Sequence, residues 1–269
     1  MKLSLRPSPR YFRARRLRRS PSRLASLLLF VLLAVAIGVS GFAVPGASQS
    51  KKATSAAAPL AEDKGRFRIL LDGQLLGSEE FEISRAGSEW TAHGSTEVRL
   101  PAGPQGTGGS AGGSTRVSAR MRLAADGAPL HYEWTSQGQK KASATVEFQG
   151  ATAKMVLQLE GAQPFVQELT FGSPLVVILD NNLYHHYAIL ARLYDWNVKG
   201  TQRLPVLIPQ EMTPGSITVE SLGPQQVEGV TYETLRVQSA DLEIQLFLDS
   251  SHRLIRLVVP TAKALIVRE

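Results

Sequence analysis

Two histidines side by side, His185 and His186, stand among Tyr184, Tyr187, Tyr194 and Trp196, the densest group in the sequence of side chains able to bind, stack or move a proton. Adjacent residues on a regular helix point about 100° apart. The two imidazoles therefore cannot close on one metal ion, which needs ligands three or four residues apart. The other pairs are weaker. His131 and Glu133 share one face of a strand pattern, as do Glu80 and Glu82. Such spacing suits an acid and base or an ion, but it equally describes a solvated strand face. A Gly-x-Ser-x-Gly string occurs at Gly108-Gly109-Ser110-Ala111-Gly112. A nucleophile elbow needs an apolar strand before it and a helix after it, whereas this string lies in a run of glycines. No metal-binding histidine spacing, phosphate loop or dinucleotide fingerprint is present. The sequence thus nominates no catalytic residue, no metal site and no cofactor.

The elements that must position the aromatic group follow from periodicity. Val176 to Leu179 is an apolar strand leading to Asp180 and Asn181, residue types that cap helices. A helix is predicted near 182–196, with Gly200 as its C-cap. Leu183, Tyr184, Tyr187, Leu190, Ala191 and Tyr194 form one broad face, and Ile189, Leu193 and Trp196 a second apolar arc. His186 falls between the two and is expected to be half-buried. His185 falls with Asn181, Arg192 and Asp195, so it is expected in solvent. A helix apolar on two sides must be gripped by something concave.

The rest of residues 64–269 alternates with a period of two. Phe67 and Ile69, Phe81 and Ile83, then Trp90, Ala92, Gly94, Thr96 and Val98 face one way while charged and polar neighbours, His93 among them, face the other. Asp72-Gly73 and Asp126-Gly127 mark hairpin turns. About fourteen short strands result, separated by local turns that favour antiparallel pairing. A sheet of that size must curl or split to bury its apolar face. The expected fold is mainly β, a curved antiparallel sheet forming a half-barrel or open barrel with one central helix. The glycine-rich stretch from Pro101 to Ser114 is expected to be an exposed loop.

Ahead of this domain, residues 1–23 hold nine basic residues and no acid, and 24–44 hold no charge at all. Twenty-one residues of helix reach about 31 Å, enough to cross a bilayer core. The basic flank stays in the cytoplasm, so residues beyond it are exported. The run exceeds the 7–15 residues of a cleavable signal, which favours an anchor over a signal peptide. Residues 45–63 read as a flexible linker. The formal charge of +7 is therefore a property of the anchor: beyond residue 50, 21 basic residues face 23 acidic ones. That balance gives no electrostatic case for nucleic acid. The absence of cysteine rules out disulfides and thiol chemistry.

The stretch Leu70-Leu71-Asp72-Gly73-Gln74-Leu75-Leu76-Gly77-Ser78-Glu79-Glu80-Phe81-Glu82-Ile83, with the hairpins at Asp126 to Tyr132 and Asp249 to Leu257, resembles bacterial cell-envelope domains akin to the LolA-type periplasmic lipoprotein carriers. The resemblance spans roughly residues 64–269. It implies an incomplete antiparallel barrel closed by helical segments over an apolar cavity, and carriage of a lipid or other hydrophobic ligand. Two readings stay open. In one, Tyr184, His186, Tyr187, Tyr194 and Trp196 line a cavity for a hydrophobic ligand. In the other they fill the core, and the domain is a structural or interaction module that meets an envelope protein through a sheet edge or the glycine-rich loop.

Overall fold

The computed structural model describes residues 60–99, 113–138, 141–198, 200–240 and 242–269. The stretches expected to form the anchor, most of the linker and nearly all of the glycine-rich loop lie outside the described residues. Within them no helix is long and apolar enough to cross a membrane.

Fifteen strands form one sheet. In chain order they are β1 (Asp63–Leu71), β2 (Gln74–Ala86), β3 (Glu89–Arg99), β4 (Ser114–Leu123), β5 (Pro129–Gln137), β6 (Ala142–Gln149), β7 (Thr152–Leu159), β8 (Phe165–Thr170) and β9 (Val177–Ile178). After helix α1 (His185–Leu193) come β10 (Gln202–Ile208), β11 (Thr213–Val227), β12 (Val230–Gln238), β13 (Glu243–Leu248), β14 (Leu254–Val259) and β15 (Ala264–Arg268). Each of β1 to β7 pairs antiparallel with the next strand, as does each of β10 to β14, and β1 pairs with β15. The sheet therefore begins at β8 and ends at β9.

This order dictates the curvature. Laid flat, fifteen strands about 4.8 Å apart would separate the outer two by roughly 67 Å. Yet β8 and β9 are joined by residues 171–176, a link that reaches about 25 Å at full stretch. The sheet must curl until its edges nearly meet. The result is an open barrel, as the alternating pattern predicts, and its gap lies between β8 and β9. Across the seam between the first and last strands, the Arg268 guanidinium forms two bonds to the Asp63 carboxylate, at 2.6 and 3.0 Å.

β9 is the exception to antiparallel pairing. It lies parallel to β10, Val177 opposite Val206 and Ile178 opposite Leu207. Parallel neighbours need a crossover, and α1 supplies it, passing through the barrel. Eight of its nine residues are buried, the behaviour of a helix enclosed on all sides. The wall makes room with small side chains on its inner face: Ala92, Gly94 and Thr96 on β3, Ala119 on β4, Ala144 on β6 and Ala153 on β7 are all buried. A Cβ on Gly94 would overlap the His185 ring, and one on Gly127, whose φ of +87° already favours glycine, would overlap the Leu193 side chain.

The helix is shorter than the predicted 182–196, and its ends are built differently. Its N-cap position is Tyr184, which has no side-chain cap, and its C-cap is Tyr194 in extended backbone. Gly200 instead exchanges hydrogen bonds with the Tyr194 hydroxyl. Two short 3₁₀ turns, Pro209–Glu211 and Pro260–Ala262, join β10 to β11 and β14 to β15. Both run from proline to a left-handed residue, Met212 and Lys263. The first turn also lies against β6, reaching across the open side of the barrel.

Candidate functional site

Asp180 and Asn181 do not cap α1; a residue 105 positions earlier does. Glu79 stands on β2 two residues before Phe81, on the same inward face, and both Glu79 and His185 have no solvent exposure. Glu79 Oε2 accepts the backbone N–H groups of Tyr184 at 2.8 Å and His185 at 3.1 Å. Its Oε1 takes the His185 Nδ1 proton at 2.6 Å. A carboxylate at the positive end of a helix, holding three donors, satisfies the orphan amides that a local cap would otherwise take. His185 is thus drawn inward rather than left in water, and the expectation of a solvated His185 is overturned by the acid that pairs with it.

His186 is fully buried rather than half-buried, with 1% of its surface exposed. Its Nδ1 accepts the backbone N–H of Asp180 at 3.1 Å, so the neutral ring carries its proton on Nε2. His185 Nδ1 instead faces the Glu79 carboxylate, which can only accept. The two neighbouring rings lie edge to face with centroids 4.5 Å apart, and their Nδ1 atoms face different partners, the Glu79 carboxylate for His185 and the Asp180 amide for His186. Burial, and then the charge of His185, holds the pKa of His186 well below the ordinary imidazole value, in keeping with an accepting Nδ1.

Asp180 takes the place of a cap for the neighbouring turn. Its Oδ1 accepts the Gln210 N–H at 2.8 Å, and its Oδ2 the Tyr132 hydroxyl at 2.5 Å. Burial pushes its pKa up to about 7 against the pull of those two bonds. Asn181 reaches Glu211 at 2.9 Å, and the Thr96 hydroxyl donates to the Asn182 carbonyl. Segment 180–186 is therefore pinned to β2, β3, β5 and the first 3₁₀ turn, largely through ionisable groups. Tyr184 Oη, His185 Nε2, His186 Nε2 and Trp134 Nε1 are buried without a hydrogen-bond partner.

The aromatic group singled out by sequence is divided between places. Tyr184 and His186 belong to this buried cluster. Tyr187, fully inside, borders a small apolar cleft with Leu179, Val206, Ile217 and Ile244, about 30 Å³ in volume. Tyr194 holds Gly200. Trp196 donates its indole N–H to Ala191 and stacks on His252 with centroids 3.9 Å apart. Of the five, only Tyr187 lines this cleft. A volume of 30 Å³ admits a water or two, whereas a site for a lipid-sized ligand needs several hundred. A larger concavity lies elsewhere, a shallow groove of about 990 Å³ across the outer face of β1 to β5. It contains Glu80, Glu82, His93 and Glu133. Its charges pair across strands, Lys64 opposite Glu82, Arg66 opposite Glu80 and Arg120 opposite Glu133, the solvated face that the alternation describes. His131 bonds mainly to Glu147, at 2.7 Å, and lies 3.9 Å from Glu133.

The two sheet edges contrast. β9 is covered, Val177 and Ile178 being buried. β8 is bare on one side, and Leu159, Phe165 and Val166 around its hairpin are three of the six large apolar side chains that stand exposed among the described residues. Along the inner face a continuous cross-strand row runs Gly94, Ala119, Trp134, Ala144, Leu157, Phe165. Burial persists from Gly94 to Ala144, weakens at Leu157 and fails at Phe165, 57% exposed.

Fold and site together define a class: an open antiparallel β-barrel, plugged by one internal helix whose N-terminus is held by a buried acid, Glu79. No protein-family model matches the chain, and no curated protein matches it in sequence. Among solved structures it is similar to the beta-barrel-like protein of a domain of unknown function, DUF1849, from Brucella abortus, with a TM-score of 0.54 and 12% sequence identity over 79% of this chain and 95% of that one. At that identity the likeness is one of fold. It agrees with the barrel read from sequence.

Proposed function

We propose that this protein is an exported cell-envelope module, tethered through residues 24–44, that works by docking a protein on the free edge β8 and not by carrying a lipid within its barrel. The observation that carries this reading is the filled interior: α1 occupies the barrel and leaves a cleft of about 30 Å³. Lipid carriage, implied by the resemblance to the LolA-type carriers, would require α1 to leave. Such a move would expose eight buried residues and strip the Glu79 carboxylate of its three donors. The exposed edge supports the docking reading. A strand presenting unpaired backbone groups beside apolar side chains is a template for strand addition.

A photoreactive residue placed at Val166 and, as control, at Gln149 on the far turn of β6 tests this in the native membrane. The expected result is one discrete protein adduct, identified by its mass, from position 166 and none from 149. The adduct should be lost on Phe165→Lys. Equal labelling from both positions, or a lipid adduct from a probe at Tyr187 in place of any protein adduct at 166, would overturn the reading.

A further inference from the structure

We propose that the partner of the β8 edge is a second copy of this chain, added antiparallel about a two-fold axis that passes between the two Gln167 residues. This inference rests on the edge-docking reading above and names its partner.

The strand's own sequence selects this register. Pairing with β7 sets Phe165, Gln167 and Leu169 opposite Leu157, Met155 and Ala153 on the inner face, and Val166, Glu168 and Thr170 opposite Val156, Lys154 and Thr152 on the outer. A symmetric antiparallel pair of strands must place some residue opposite itself. Centred on Glu168, the pair would set two carboxylates face to face, which is destabilising. Centred on Val166, it would bring Pro164, which has no N–H to donate, opposite Glu168. Centred on Gln167, every position from 165 to 169 is paired: Phe165 faces Leu169 of the second copy, Val166 faces Glu168, and two neutral amides meet on the axis. This register avoids like charges and gives the exposed Phe165 an apolar neighbour. It also continues the inner-face row into the second barrel. The opposite edge cannot compete, because β9 is only two residues long and both are buried.

The chain contains no cysteine, so a single introduced thiol reports its own partner without background. Residues directly opposite in an antiparallel pair have Cα atoms about 4.5 to 5.5 Å apart, within disulfide range. Positions 166 and 168 would each lie two residues out of line with their own copy. Gln167→Cys, Val166→Cys and Glu168→Cys are made in the full chain, left in its own membrane fraction and oxidised mildly. The expected result is a covalent dimer from Gln167→Cys at least about tenfold more abundant than from the other two. Light scattering of the cysteine-free chain in detergent, corrected for the micelle, needs no introduced thiol; it should give a concentration-dependent dimer that Val166→Lys converts to monomer. Equal cross-linking at all three positions, a maximum at 168, or a monomer at all concentrations would overturn the pairing. A monomer whose Val166 photoadduct has a mass other than a second copy would overturn this inference and leave edge docking standing; a monomer with no such adduct would overturn both.

Discussion

Glu79 is the residue on which the interior turns. It is buried without exposure, it accepts two helix amides, and it holds the proton of His185. Removing this carboxylate leaves three buried donors without an acceptor, at a typical total cost of about 3 to 5 kcal/mol. Glu79→Ala is expected to lose about that much in urea unfolding, and a loss below about 1 kcal/mol would mean that water replaces the carboxylate. His186 and Asp180 act with opposite sign. His186 has a depressed pKa in the folded protein, so its stabilising contribution is whole above the unfolded value near 6.5 and is lost as pH falls below it. Asp180 is raised from 3.8 to about 7, so the folded state keeps its proton while the unfolded chain releases it. Its contribution is present at low pH and lost as pH rises between about 4 and 7. The two nearly oppose one another in the wild type. Asp180→Asn should therefore gain stability with rising pH more steeply than wild type across that window, and His186→Asn, which keeps an acceptor for the Asp180 amide, should lose stability with rising pH. Urea midpoints at pH 4, 5.5 and 7.5 decide it; three parallel curves would contradict the assignment. Sequence pattern marked His186 but misplaced His185, because a polar residue on the polar arc reads as solvated unless its partner is known. The signal for that partner was present. Glu79 shares the alternation of Phe81 and Ile83, and an acid on the inward face of a strand must find a donor.

At the scale of elements, α1 is a plug. Leu190 has no exposure, and Leu190→Ala is expected to cost about 2 to 5 kcal/mol, the range for truncating a buried leucine. A cost below about 1 kcal/mol would make α1 a loosely held element. Gly94 is the test of fit between helix and wall. An added methyl would overlap His185, so Gly94→Ala should destabilise the fold by about 1 to 3 kcal/mol through overpacking, and should do so far less in a His185→Ala background. Additive losses would show that the two do not meet. The helix itself was legible from its two apolar arcs, which foretold that something concave holds it. Its limits were not, because the capping group comes from β2 and leaves no trace in residues 180–184. The strands were legible throughout, since one buried face per strand imposes a period of two. The parallel pairing of the two-residue β9 with β10 was not, for it follows from where the crossover helix lies.

The whole molecule is a sheet that leaves the seam of β1 and β15 in both directions and returns to itself at a gap. Curling was predictable from strand number alone. Whether the barrel would be hollow was not, because side-chain volume on the inner wall must be weighed against a helix whose depth the sequence does not give. Ala92, Gly94, Ala119, Ala144 and Ala153 keep the buried wall low, and at Gly94 the space a methyl would take is filled by the His185 ring of the helix. The most direct measurement of this filled barrel is native mass spectrometry of the full chain, purified gently from its own cells. The account predicts the mass of the polypeptide alone, or of two copies, with no apolar adduct retained after mild activation. A stoichiometric lipid that survives activation, and is lost on Tyr187→Ala, would contradict it.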